Sequence, residues 1–201
     1  MKTTAIITGT PKSATMYIAT LLSAMGLRFK HEKVAEDGCA DWRLAPGKIS
    51  RPWDDNTNLL FDKENLVVLH QVREPLSVIS SCQKISEKAW YYICLYTPLR
   101  ISDSLIKRCL GLYYYWNKLA DKIATWTYRI EDLESIFEEF CNRIGHPELI
   151  NKRYIINDIP KNINSAKPYK KLTWKDLEKE DPELTYKTMD LAEGYGYEID
   201  W

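Results

Sequence analysis

A short apolar run, a tight turn and a helix occupy the first twenty-five residues, Met1 to Met25, MKTTAIITGTPKSATMYIATLLSAM. Ala5-Ile6-Ile7 reads as a buried strand and Thr8-Gly9-Thr10-Pro11-Lys12-Ser13 as a turn. Met16, Ile18, Leu21, Leu22 and Met25 then recur at helical spacing. This order builds an anion site, because the first N–H groups of a helix have no intrahelical partners and carry the positive end of its dipole. Lys12 adds a full charge, and Ser13 and Thr15 add hydroxyl donors. The plainer reading is an ordinary α/β opening with Ser13 as an N-cap. The turn is not a Walker A loop, since after Gly9 it lacks the second glycine of G-x-x-x-x-G-K-[ST].

A chain of 201 residues is long enough for one well-filled core, and length argues for a single domain over 1–201. Its 45% hydrophobic and 28% charged content is that of a soluble globular protein. Twenty-eight basic residues balance 28 acidic ones, so no global field attracts nucleic acid or an anionic membrane, and any polyanion site must be local. Cys39, Cys82, Cys94, Cys109 and Cys141 are scattered, without a C-x-x-C pair or metal-ligand spacing, and read as reduced thiols. Met1-Lys2 is followed by too few apolar residues for a signal peptide core, and no window approaches the ~20 apolar residues of a membrane span. The expectation is a soluble, cytoplasmic chain.

Beyond the first helix, Gly26 is a stop signal and Leu27 to Glu32 alternates as a second short strand that carries His31 and Glu32 to its end. Lys33 to Lys63, with Gly38, Pro46, Gly47 and Pro52, reads as a long loop holding at most one short helix. Asn65 to Val72 (NLVVLHQV) suits a strand buried on both faces. Arg73-Glu74-Pro75 ends it, with Pro75 as the first residue of a helix through Val78, Ile79 and Cys82. The unit of strand, charged turn and helix thus occurs twice, as in a parallel sheet with crossover helices. Helices are expected over Glu87 to Tyr96, Ser102 to Ile123, Asp132 to Ile144, Thr173 to Lys179 and Pro182 to Glu193, and a strand over Thr125 to Arg129. Ile150 to Lys171 reads as loop, and Thr173 and Asp181 as caps.

Three sets of anchors therefore stand at the ends of three strands: Lys12 with Ser13 and Thr15, Arg73 with Ser81, and Arg129 with Glu131. Arg73 lies in its turn, and Ser81 looks back from two turns into the helix. Arg73 beside Glu74 also reads as a surface pair of little energetic worth.

These residues resemble the sulfotransferase family, the enzymes that use 3'-phosphoadenosine 5'-phosphosulfate. The family's T-G-x-P-[KR]-S-G-T-[ST] signature is matched by Thr8-Gly9-Thr10-Pro11-Lys12-Ser13-Ala14-Thr15-Met16, with Ala14 in place of a glycine and Met16 in place of a hydroxyl residue. Its R-[DE]-P signature with a serine eight residues on is matched by Arg73-Glu74-Pro75 and Ser81, and Tyr128-Arg129-Ile130-Glu131-Asp132-Leu133 is similar to its Y-R-[IY]-E-[DE]-L element. Leu172-Thr173-Trp174 and Gly194-Tyr195-Gly196-Tyr197 are weakly similar to family C-termini. The resemblance implies a three-layer α/β fold of the P-loop nucleotide-hydrolase-like sulfotransferase type, a parallel sheet flanked by helices. It also implies that Thr10 to Met16 bind the 5'-phosphosulfate, that Arg73 and Ser81 bind the 3'-phosphate, and that Arg129 belongs to the donor site. No metal is required. Ala14 then needs a φ that a residue with a Cβ can adopt.

In-line transfer of a sulfuryl group builds charge on the bridging oxygen, which Lys12 and helix N–H groups stabilise, and the acceptor hydroxyl needs a base. Glu32 is the first candidate, His31 the second and His70 the third. For His70 a histidine satisfied inside the sheet is the preferred reading. Trp53 and Tyr169 are candidates to clamp adenine, and Asn162 to Ser165 with Lys167 could close over the 3'-phosphate, although a solvated polar loop is the preferred account. The expected partner is a small-molecule or carbohydrate acceptor. A P-loop-type nucleotide or small-molecule kinase and a non-catalytic nucleotide-binding module are the alternatives. Acceptor identity and oligomeric state are not encoded in these motifs.

Overall fold

The computed structural model describes residues 4–47, 66–160 and 170–201. Five parallel strands form one sheet in the order β2-β3-β1-β4-β5, where β1 is Thr4–Thr8, β2 Phe29–His31, β3 Gly38–Ala40, β4 Leu66–Val72 and β5 Trp126–Arg129. β1 is buried at every residue and lies between β3, with Ile6 opposite Cys39, and β4, with Ile7 opposite Leu69 and Thr8 opposite His70. A strand flanked on both edges and covered on both faces favours an unbroken apolar run, which is why Ala5-Ile6-Ile7 is continuous rather than alternating.

Helices cover both faces. On one, α1 (Thr15–Ala24) and α5 (Phe137–Arg143) pack Ile18, Leu22, Phe137 and Phe140 against Ala5, Ile7, Leu69 and Tyr128. On the other, α4 (Leu105–Asp121) is the central helix, with α2 (Pro75–Cys82), α3 (Glu87–Cys94), α6 (Trp174–Glu180) and α7 (Pro182–Gly194) around Tyr113 and Trp116. Thr173 closes a capping box on α6, and Asp181 caps α7 by accepting from Leu184 N–H. Among the described residues no helix is long and apolar enough to cross a membrane.

From β1 the chain runs to β2 and β3 on one side and then crosses to β4 and β5 on the other. The loops after β1 and β4 therefore leave the same end of the sheet on adjacent strands, at the switch point where open α/β sheets form their ligand crevice.

Three expectations about the elements are corrected. Gly38–Ala40, inside the expected loop, is a strand, because Gly38 at φ 136° lets the backbone close on β1: a Cβ there would lie 1.9 Å from the Ala5 carbonyl oxygen. β2 consequently pairs with β3 and is an edge strand. Asp132 to Ile144 is not one helix: a 3-10 turn, Ile130–Asp132, precedes a shorter α5. The start of the expected C-terminal loop belongs to a 3-10 run, Pro147–Asn157, seated on α1 and α5 through Leu149 and Ile156. Trp53, Tyr169, Asn162 to Ser165 and Lys167 lie outside the described residues.

Candidate functional site

The turn between β1 and α1 has an unusual backbone. Lys12 and Ala14 both take left-handed conformations, at φ 74° and 69°, although neither is glycine. Ala14 is the N-cap of α1, which starts at Thr15, and no side chain caps it. Neither the Ser13 cap nor the relaxed φ expected at Ala14 is what the chain adopts. Left-handed residues with a Cβ cost of order 1–2 kcal/mol each, and such strain collects at binding and catalytic sites.

Tertiary contacts hold this shape. Gln71 in β4 donates its side-chain amide to the Ser13 carbonyl. Gly9 passes so close to β4 that a Cβ would lie 2.2 Å from the Gln71 carbonyl oxygen. The Thr10 hydroxyl donates to Asn117 Oδ1 at 2.6 Å, and the Cys82 thiol faces the Pro11 carbonyl at 3.7 Å. The Ser13 hydroxyl is fully buried and has no hydrogen-bond partner among the described residues. An orphaned buried hydroxyl costs on the order of 1–3 kcal/mol, which a bound acceptor atom would recover. Met16 is half-buried on α1.

Arg73 follows β4 directly, and its guanidinium donates to the Lys12 carbonyl at 3.2 Å, so the two cationic turns touch. Glu74 is occupied elsewhere. Its carboxylate caps α2 by accepting from Leu76 and Ser77 N–H at 2.9 and 2.6 Å, and the Arg73–Glu74 surface pair does not form. Ser81 is half-buried on α2, whereas the adjacent Ser80 is buried and accepts from Leu172 N–H at 2.9 Å. A cleft of about 190 Å³ opens beside Arg73 and Ala14, lined also by Tyr17, Glu131, Glu134 and Ile156. Burial, then the Glu134 charge, pushes the Tyr17 phenol above its ordinary range.

At the end of β2, His31 Nε2 is 3.1 Å from the Thr15 hydroxyl, which joins this strand to the first residue of α1. Burial lowers the His31 pKa below its ordinary 6.5, against the opposing pull of Glu32 and Asp41. Glu32 takes a left-handed φ of 52°, and its Oε1 accepts from the Trp42 indole at 2.8 Å and lies 3.9 Å from His31 Nε2. Arg43 donates to the Glu32 carbonyl at 2.6 Å and is itself gripped by Asp41. The neighbours of this carboxylate thus include the Trp42 indole and, at 3.8 Å, the Arg43 guanidinium. His70 is fully buried, with Nδ1 2.8 Å from Asp121 and Nε2 3.0 Å from Asn117.

Arg129 is clasped by Asp132 at 2.9 Å through its Nη2, donates to the Gly196 carbonyl and lies over the Tyr197 ring at 5.1 Å. Glu131 accepts from Glu74 N–H and from the Tyr197 hydroxyl, both at 2.9 Å. The Tyr128 to Leu133 segment thereby fastens the C-terminal turn to the sheet end. Sequence reasoning missed Gln71, Tyr17, Trp42, Arg43 and Asn117. A glutamine beside His70 in the Leu- and Val-rich NLVVLHQV was a readable signal, since a buried amide needs partners.

Comparison with models of protein families gave no match, and neither did comparison with curated proteins. Among solved structures, the sulfotransferase domain from the curacin biosynthetic pathway matches with a TM-score of 0.56 at 11% identity, over 100% of this chain and 99% of that one. At that identity the likeness speaks to architecture. The chain has the α/β fold of a sulfotransferase domain, a five-stranded parallel sheet flanked by helices.

Proposed function

We propose that this chain transfers a sulfuryl group from 3'-phosphoadenosine 5'-phosphosulfate to a hydroxyl of a small molecule or carbohydrate. The observation that carries the reading is the 3.2 Å bond from Arg73 to the Lys12 carbonyl, which puts two cationic turns on one cleft at an uncapped helix N-terminus. The residues present fit a nucleotide with anionic groups at both ends. The Ser13 hydroxyl, the first N–H groups of α1 and Lys12 suit its 5' end. Arg73, with Ser81 on the helix that follows, suits its 3' end. The cleft beside Tyr17 suits the nucleoside. When bound, the donor supplies the sulfuryl group and a phosphate leaving group, yielding adenosine 3',5'-bisphosphate.

The chain's own residues then have distinct tasks. Lys12 carries a full charge on a turn whose backbone is held by Gln71, Asn117 and Arg73 before any ligand arrives. Burial keeps His31 neutral near pH 7, so its imidazole can take a proton, and Glu32 at 3.9 Å steadies the imidazolium that results. This order places His31 ahead of Glu32 as the base.

Calorimetry tests the reading. Adenosine 3',5'-bisphosphate should bind without added metal and more tightly than ATP with Mg²⁺. The opposite order would favour the kinase. Binding of the bisphosphate without donor turnover across a panel of hydroxyl acceptors would favour the non-catalytic module. Turnover that survives His31→Gln but not Glu32→Gln would return the role of base to Glu32.

A further inference from the structure

Beneath the phosphate-binding turn runs a buried polar chain that the proposed reaction does not use. Thr10, Asn117 and His70 are all essentially inaccessible, at 1%, 1% and 0% exposure. Asn117 Oδ1 takes the Thr10 hydroxyl bond at 2.6 Å and lies 3.0 Å from His70 Nε2. On the other side of the ring, His70 Nδ1 meets Asp121 Oδ1 at 2.8 Å, with the Thr127 hydroxyl at 3.4 Å. The second oxygen of Asp121 accepts from the Tyr195 hydroxyl at 2.6 Å, and the Tyr195 ring packs edge-on against His70 with centroids 5.6 Å apart.

Four elements meet in this chain: the turn after β1, β4, α4 and the segment that follows α7. Thermodynamic support is a poor explanation for it. Asn117 Nδ2 is buried with no partner among the described residues, and apolar side chains of similar volume would fill such a site at no loss of stability. Burial alone would raise the Asp121 carboxyl, and the bonds from His70 and Tyr195 outweigh it to hold the group below its ordinary range. What the bonds do supply is a side-chain link between elements, from Thr10 through Asn117, His70 and Asp121 to Tyr195, that fixes their relative positions.

We propose that Asn117, His70, Asp121 and Tyr195 are positioning residues, a relay through which the Tyr195 side chain, at the C-terminal end of α7, sets the shape of the phosphate-binding turn at Thr10. The relay concerns the shape of the ligand-free turn and stands independently of which nucleotide the turn takes. Its effect on affinity rests on the donor reading above. Tyr195 and Thr10 are far apart in sequence, and this side-chain chain links them directly.

Hydrogen–deuterium exchange on the full, ligand-free chain tests the relay. Tyr195→Phe and Asn117→Ala should each speed exchange of peptides spanning residues 9–15 by about fivefold or more. Tyr197→Phe removes a hydroxyl bond from the same segment, to Glu131 at 2.9 Å, without touching the relay, and should leave those peptides unchanged. Equal loosening by Tyr197→Phe, or no change with Tyr195→Phe, would overturn the proposal. A calorimetric arm uses adenosine 3',5'-bisphosphate. Tyr195→Phe should weaken its binding by about fivefold or more, and unchanged affinity in a wild-type chain that binds would also overturn the relay. A wild-type chain that binds no bisphosphate would sink the donor reading instead, and the exchange arm would still decide the relay.

Discussion

Ala14, at φ 69° and ψ 28°, is a residue whose identity and conformation disagree. A glycine would relieve the left-handed cost and give up only the packing of the Ala14 methyl against the core beneath α1. Ala14→Gly should therefore stabilise the fold by about 1 kcal/mol, seen as a rise of roughly 2–4 °C in melting temperature. His31 gives a pH signature at the same scale. Its folded-state pKa lies below 6.5, so the unfolded chain takes up the proton first as pH falls. The His31 contribution to stability is then complete above pH 6.5 and declines as the pH drops towards the folded pKa. If His31 is the base, the acid limb of the rate profile should have its midpoint below 6.5, and His31→Gln should remove that limb.

At the scale of elements, the packing of the β1–α1 turn on β4 is the critical contact. Gly9→Ala forces a Cβ to 2.2 Å from the Gln71 carbonyl oxygen, backbone that cannot step aside without parting two central strands. The variant should lose about 3 kcal/mol, measured by denaturant unfolding. Elements with a strong local pattern were legible in the sequence: β1, β4, the period of α4 and the caps at Thr173 and Asp181 are all where the residues put them. β3 was not, because three residues, Gly38-Cys39-Ala40, have no periodicity and owe their strand to neighbours on both edges. Motif order revealed which turns carry charge. The contacts that shape them, Gln71 to Ser13 and Asn117 to Thr10, join residues 58 and 107 positions apart, and local spacing does not encode them.

For the whole molecule, the sheet order β2-β3-β1-β4-β5 turns two separate strand-end turns into one site. The central claim is that this site holds one nucleotide by both ends, with the 3' end on Arg73. Calorimetric titration of wild type and Arg73→Ala with adenosine 3',5'-bisphosphate, 3'-AMP and 5'-AMP tests this most directly. The loss of one charge-assisted contact should weaken the bisphosphate and 3'-AMP by roughly tenfold to a hundredfold. On this assignment the 5' phosphate would sit with Lys12 and α1, so affinity for 5'-AMP should stay within about twofold. Equal weakening of all three ligands, or no weakening of the bisphosphate, would contradict the assignment.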